Sequence, residues 1–349
     1  MRIVHLLQSS KFSGAENVVC QIIDLFKNNK DIEMIYVSPD GPIRETLYEK
    51  KISFYPLKNF KQREINRAFA ELKPDLIHAH DFNASVRSSI QKKIRVISHL
   101  HSNPKWLSKV CFYSIAYGIC SIRYEKILGV SNSILDEFIF SRSINEKFVS
   151  LPNVVDAIKI EDMSREKIDY QIDILYVGRL SKPKNPIGFL KIIKKIVNCY
   201  EKEISVVMLG EGFLLNECHR FISENELENC VKIIGFDSNP YKYMNAAKIL
   251  IIPSIYEGFG LVAVESMLLG TVVLATPVGG LKGIIQNGGG ELCEKDDDFV
   301  EKAIHYLTNN SERKSMERKA KQVAKKYTDL ERYKKTIKDI YFRASGSSV

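Results

Sequence analysis

The chain has 349 residues, 45% of them hydrophobic, which is enough for two domains with separate cores and gives no compositional case for disorder. Its net charge of +9 favours anionic partners, but the 51 Lys and Arg are dispersed among 42 acidic residues. No zinc-finger spacing, RNA-binding aromatic motif or basic arm accompanies the charge, so nucleic acid is not an expected partner; a phosphate-rich small molecule or an anionic membrane surface suits it better.

The opening MRIVHLLQSS has too short an apolar run for a signal peptide, and no stretch of about 20 apolar residues could span a bilayer. The expected location is the cytoplasm. Seven cysteines without a CxxC pair fit reduced thiols, with Cys20, Cys111 and Cys199 as small filler in predicted helices.

Arg2 to Leu7 reads as a buried strand, followed by the loop SSKFSG and a helix from Ala15 to Lys27. Further strands are expected at Met34 to Val37, Phe54 to Leu57, Leu76 to Ala79, Val96 to Leu100 and Ile127 to Val130. The intervening helices fall near Glu64 to Leu72, Ala84 to Gln91, Trp106 to Ile122 and Ile134 to Phe140. This alternation predicts a parallel sheet covered on both faces.

From Leu151 to Gln171 the periodicity fades and charge rises, as expected of a linker. A second series then begins, with strands at Ile172 to Val177, Ile204 to Leu209, Val231 to Ile234, Ile249 to Ile252 and Val272 to Ala275. Helices centred near Ile192, Phe221, Tyr243, Val264 and Ala303 separate them. The predicted fold is therefore α/β, two tandem Rossmann-like doubly wound domains facing a central cleft, where strand C-terminal ends and helix N-termini meet. The charged tail from Ser311 to Arg343 is expected to be helical, its last helix packing back on the first domain. The expected boundaries are 1–156, joined by a helix at about 328–349, and 157–327.

The stretch from Ile252 to Gly280 is the most informative. A short apolar strand breaks at Pro253 and Ser254, then come Glu257, a Gly258-Phe259-Gly260 turn and a helix from Leu261 that carries Glu265. Glycines let the backbone turn tightly, and the helix start directs free N–H groups at the turn, which suits a phosphate. A helix terminus contributes only about 0.3–1 kcal/mol per favourable charge, so other groups must assist. The loop VGRLSKPKN supplies candidates: Arg179 offers a planar fork to phosphate oxygens and Lys184 a mobile point charge. Glu257 and Glu265 are not a hydrolase pair, since eight helical residues separate them by roughly 12 Å at ~1.5 Å each, against about 5–5.5 Å for retaining hydrolases. Glu257 would meet the reacting end of a ligand, and Glu265 a vicinal diol such as ribose.

Gly14, between the first strand and helix, is either an anion-facing glycine or a plain turn residue; the loop lacks the GxGxxG dinucleotide fingerprint. His78 with His80 and His99 with His101 are spaced two apart, so each pair shares a strand face. They are candidates either for a metal cluster or for hydrogen-bonded core positions, with His80 and His101 nearer the strand ends. Asp296, Asp297 and Asp298 are expected to open a helix. Residues 103–126 mix Lys105, Lys109, Arg123 and Lys126 with Trp106, Phe112, Tyr113 and Tyr117. They form either a half-buried helix or an interfacial surface on an anionic bilayer, which would place the protein at the inner face of the cytoplasmic membrane.

The blocks PSIYEGFGLVAVESMLLG, VGRLSKPKN, LGEG at Leu209 to Gly212 and PNVVD at Pro152 to Asp156 together resemble the retaining, nucleotide-sugar-dependent glycosyltransferases of family four, group one. The resemblance runs from Arg2 to about Tyr341. It implies the GT-B fold and transfer of a hexosyl or N-acetylhexosaminyl group, with retention and without a metal or other cofactor. The implied donor is a nucleoside diphosphate sugar, UDP-linked by preference, and the acceptor a glycan or lipid-linked glycan of a bacterial surface polysaccharide or glycolipid. By position, Arg179 and Lys184 would hold the diphosphate, assisted by Phe259, Gly260 and Leu261; Glu265 would bind ribose and Glu257 the sugar hydroxyls. His101 would lie near the sugar and Gly14 beneath the phosphates. Two positions depart from the family pattern: Ser13 stands where a glycine is common, and Gly283 where an acid is usual. A nucleotide-sugar epimerase or hydrolase of the same fold, or a nucleotide-binding partner protein without activity, are the alternatives.

Overall fold

The computed structural model describes residues 1–346 and divides into two compact units. Unit 1 comprises Met1–Asn153 with the segment from Leu330 onward, and unit 2 comprises Val154–Asp329.

Unit 1 holds a parallel sheet of seven strands, ordered β3-β2-β1-β4-β5-β6-β7. The strands are β1 (Arg2–Leu6), β2 (Glu33–Pro39), β3 (Phe54–Leu57), β4 (Leu76–His80), β5 (Arg95–Leu100), β6 (Tyr124–Gly129) and β7 (Phe148–Ser150). β1, β4 and β5 are almost wholly buried, which explains their near-continuous apolar runs. The helix Gly14–Phe26 turns Val18, Val19, Ile22, Ile23 and Phe26 inward, a helical stripe that packs on the sheet. The helix Leu330–Ser345 packs against Gly14–Phe26 and against β4, β5 and β6. Tyr341 anchors it, fully buried, and Arg95 donates to the Ala344 carbonyl at 2.8 Å.

Unit 2 holds six parallel strands, ordered β10-β9-β8-β11-β12-β13. These are β8 (Ile172–Val177), β9 (Val206–Leu209), β10 (Val231–Gly235), β11 (Ala247–Ile252), β12 (Val272–Ala275) and β13 (Gly290–Leu292). Its core joins residues of β8, β9, β11 and β12 to Phe189, Ile193 and Ile196 of the helix Pro186–Cys199 and to Phe299 and Ala303 of the helix Asp296–Thr308. In each sheet the order reverses once, between β1 and β4 and between β8 and β11. Such a switch point opens a crevice beyond the strand C-terminal ends.

Three local expectations need correction. The segment 151–171 is not all linker: Ala157–Met163 is helical, and the Asp156 carboxylate caps it by accepting the Lys159 N–H. The helix expected from Trp106 begins only at Phe112. Ahead of it the chain turns at Pro104, seating Leu107 in the core and Trp106 against Phe82 and Tyr117. β7, β13 and the helix Ile43–Glu49 were too short to stand out from their flanks.

Candidate active site

At the unit 2 switch point, the loop after β8 meets the loop after β11. The Ile255 N–H donates to the Pro183 carbonyl at 2.8 Å, and the Asn185 amide to the Pro253 carbonyl at 3.1 Å. This stitching brings Lys184 to Glu257, its Nζ lying 2.8 Å from Oε1 and 2.5 Å from Oε2. The Ser254 hydroxyl adds a third hydrogen bond to Glu257 at 3.2 Å. Arg179 lies exposed earlier in the same loop.

Gly260, at φ +96°, precedes the first residue of the helix Leu261–Leu269, a left-handed conformation that a side chain rarely adopts. The helix therefore starts at Leu261, directly beyond the turn carrying Glu257 and the buried Phe259, and its first N–H groups lack helical partners. Gly279, in the loop after β12, comes so close beneath this turn that a Cβ there would stand 1.8 Å from the Glu257 carbonyl oxygen. Glu265 sits inside the helix, buried, its Oε1 accepting from the Tyr241 hydroxyl at 3.4 Å. Burial pushes its carboxyl up to about 7.

The unit 1 switch point opens a pocket of about 590 Å³ between the loop Leu7–Lys11 after β1 and the segment His80–Asn83 after β4, walled by Phe82 and Trp106. Glu16 and Asp81 are among the residues that line it. Asp81 holds φ +62°, and its Oδ1 accepts the His101 N–H at 2.9 Å. Burial pushes its carboxyl up to about 6. Neither residue stood out in the sequence: an acid after a strand carries no periodic mark, and Glu16 reads as an ordinary first-turn acid.

The parallel register sets His5 beside His78 and His80 beside His99. His78 Nε2 lies 3.2 Å from His99 Nδ1, and His78 Nδ1 lies 2.8 Å from the Tyr341 hydroxyl. His5 Nδ1 lies 3.1 Å from His80 Nε2, and His80 Nδ1 lies 2.8 Å from His101 Nε2. The two sequence pairs thus merge into a cluster of hydrogen-bonded rings that recruits His5. Two trios, His5 with His78 and His80, and His80 with His99 and His101, bring ring nitrogens within 4.8 Å of one another.

The remaining candidates lie apart from these contacts. Gly14 is exposed at the start of its helix, and a Cβ there would meet nothing within 4 Å. The Ser13 hydroxyl donates to the Glu16 carboxylate, so the departure at that position is absorbed locally. At Gly283 a Cβ also meets open space. The three aspartates open the helix Asp296–Thr308, where Asp298 accepts the Glu294 and Lys295 N–H groups and Asp297 pairs with Lys195. The helix Phe112–Cys120 presents Phe112, 78% exposed, and Ile119, 64% exposed, to solvent, close in sequence to the basic Lys109 and Arg123.

Two doubly wound sheets with switch-point sites, one of them cationic at a helix start, define a two-domain α/β protein of the GT-B fold. Residues 12–158 match the model of Glycosyltransferase Family 4 and residues 159–323 match that of Glycosyl transferases group 1. A Campylobacter jejuni N-acetylgalactosamine-N,N'-diacetylbacillosaminyl-diphospho-undecaprenol 4-alpha-N-acetylgalactosaminyltransferase is 34% identical over 163 residues, covering 45% of this chain and 44% of that protein. An uncharacterized glycosyltransferase of Methanocaldococcus jannaschii is 27% identical over 93% of both chains. The chain spans 44% and 60% of the length of the first two curated relatives it matches. In fold it is similar to Anabaena Alr3699/HepE, solved in complex with UDP and glucose, with a TM-score of 0.85 at 20% identity, covering 98% of this chain and 99% of that one. Among the described residues, no helix is long and apolar enough to cross a membrane.

Proposed function

We propose that the protein transfers a hexosyl or N-acetylhexosaminyl group, with retention and without a metal, from a nucleoside diphosphate sugar to an acceptor hydroxyl. The observation that carries this proposal is the Lys184–Glu257 pair seated at the turn before the helix Leu261–Leu269. Arg179, Lys184 and the free N–H groups around Gly260 and Leu261 supply the positive charge that a leaving diphosphate needs as the sugar acquires oxocarbenium character. Glu257, already a hydrogen-bond acceptor, takes sugar hydroxyls, while Glu265 takes the ribose diol. In unit 1, His101 is assigned to the transferred sugar, Gly14 to the phosphate side, and the pocket beside Asp81 to the acceptor.

UDP is the donor nucleotide supported best, because the fold neighbour was solved with it. The relative acting on a diphospho-undecaprenol substrate makes a lipid-linked glycan the acceptor of choice, in surface polysaccharide or glycolipid synthesis on the cytoplasmic side of the membrane. The exposed face of the helix Phe112–Cys120, with Lys109 and Arg123, suits contact with an anionic bilayer.

A thermal-shift screen against nucleoside diphosphate sugars identifies the donor, because a ligand at 100 times its dissociation constant stabilises by about 2.7 kcal/mol. Transfer by the wild type is then compared with Glu257→Gln and Lys184→Ala. Undiminished transfer in both variants rejects the site. Free sugar or an epimer formed without acceptor points to a hydrolase or epimerase.

A further inference from the structure

In unit 2 the cation and the carboxylate assigned to the donor are bonded to each other. Lys184 gives hydrogen bonds to both Glu257 oxygens, at 2.8 and 2.5 Å, so the pair is neutral in sum where a diphosphate is expected. A diphosphate that takes the ammonium therefore competes with Glu257 for it. The two side chains are not held alike. Glu257 stands on a turn pinned on both sides: the Thr276 hydroxyl donates to the Ser254 carbonyl at 2.6 Å, and the Gly280 N–H to the Gly258 carbonyl at 2.7 Å. Its carboxylate also accepts from the hydroxyl of Ser254, a residue only 1% exposed. Lys184 carries its ammonium on a flexible four-carbon stem, and its side chain is 26% exposed against 13% for Glu257. Lys184 is the member that can change partners, and Glu257 the one that stays.

Moving the ammonium to a diphosphate oxygen has different consequences for two ligands. In both cases Glu257 loses two hydrogen bonds, keeps that from Ser254, and faces a second anion in a place where water screens poorly. Sugar hydroxyls are donors, so an intact nucleotide sugar replaces the bonds that Lys184 gave up. A bare nucleoside diphosphate has no group there to do so.

We propose that Lys184 and Glu257 exchange partners when the donor binds, the ammonium going to the diphosphate and the carboxylate to sugar hydroxyls, and that this exchange makes the site select a sugar-bearing nucleotide over the bare nucleoside diphosphate. Ser254 is the positioning residue that keeps the Glu257 carboxylate in place while Lys184 is engaged elsewhere. This exchange rests on the assignment of Lys184 to the diphosphate and of Glu257 to the sugar. Its consequence is that the nucleotide product of transfer is a weaker ligand than the donor, which favours product release.

Calorimetric titration of the full chain with UDP, UDP-glucose and UDP-N-acetylglucosamine tests the exchange in the wild type, Glu257→Gln, Lys184→Ala and the double variant. In Glu257→Gln, which frees Lys184, UDP should bind about 10-fold tighter and the preferred UDP-sugar about 10-fold weaker. Added to Lys184→Ala, the same substitution should no longer tighten UDP. UDP binding that is unchanged or weaker in Glu257→Gln overturns the exchange. So does a gain that persists without Lys184, since that gain is relief of charge repulsion alone. Ser254→Ala should weaken the UDP-sugar about 5-fold while UDP stays within about two-fold. Equal losses for both ligands, or no loss for either, show that Ser254 does not act through Glu257. A Lys184→Ala variant that binds all three nucleotides as the wild type does, or a wild type that binds none, rejects the donor-site assignment itself. Weakened binding in Lys184→Ala with unchanged UDP binding in Glu257→Gln keeps that assignment and rejects only the exchange.

Discussion

The two switch-point sites occupy the same place in two sheets of the same kind, yet they handle charge in opposite ways. In unit 1 the imidazoles on and just after β1, β4 and β5 are kept neutral by burial and bond mainly to one another. In unit 2 the loops after β8 and β11 hold formal charges, kept by pairing Lys184 with Glu257 beside a helix start. A doubly wound sheet therefore decides where a site lies, while the loop residues decide whether it is a neutral hydrogen-bonding surface or an electrostatic one.

Acid should separate the two units most strongly. The histidines of unit 1 have folded-state values depressed below the unfolded 6.5, so their stability is fully present above that pH and is lost as pH falls toward about 4. The loss reaches several kcal/mol by about pH 5. Trp106, the single tryptophan, lies in unit 1, so its fluorescence should report unfolding before the helical signal of unit 2 disappears. Coincident transitions would dissolve the contrast.

Lys184→Ala strikes the charged site. It removes a cation from the expected leaving diphosphate and leaves Glu257 with the Ser254 hydroxyl, so sugar transfer should fall about 10²–10³-fold in kcat. Gly279→Ala tests the packing beneath that site. Its φ of +50° and the Glu257 carbonyl at 1.8 Å leave no room for a methyl, and denaturant titration should show a loss of about 3 kcal/mol with weakened donor binding.

Glu265→Gln should show stability and binding moving in opposite directions. The folded carboxyl is raised from 4.5 to about 7, so the wild type loses stability as pH rises through that window. The variant escapes the loss and should gain about 2–3 kcal/mol over the wild type at pH 8, and little at pH 4, while nucleotide binding weakens. The smallest effect belongs to Gly14→Ala, whose added methyl meets open space; stability should stay within about 0.5 kcal/mol. A large loss of donor affinity in that variant would support Gly14 as a phosphate-facing residue, and unchanged affinity would reject that assignment.

Much of the fold was legible in the sequence. Ile172–Val177 and Val272–Ala275 stand where their apolar runs put them, because a strand buried on both faces leaves a continuous signature. The helix at Phe112 was not, since Trp106 and Leu107 carry a helical spacing that the turn at Pro104 diverts into the core. Of the residues in the candidate site, Arg179, Lys184, Glu257 and Glu265 were visible from glycine turns and charge. His5, Asp81 and Tyr241 were not, because nothing local marks a strand histidine, a post-strand acid or a helical tyrosine as the partner of a residue far away in the chain.

By itself the sequence determined the alternation of strands and helices, the glycine turn at Gly258 to Gly260 and the residue types offered to a ligand, all set by local sterics and hydrophobic period. Only the tertiary structure decided which of those residues meet. Lys184 and Glu257 lie 73 positions apart in the chain, and His78 and Tyr341 263 apart. Sheet order and register, set by the packing of whole strands and helices, close those separations.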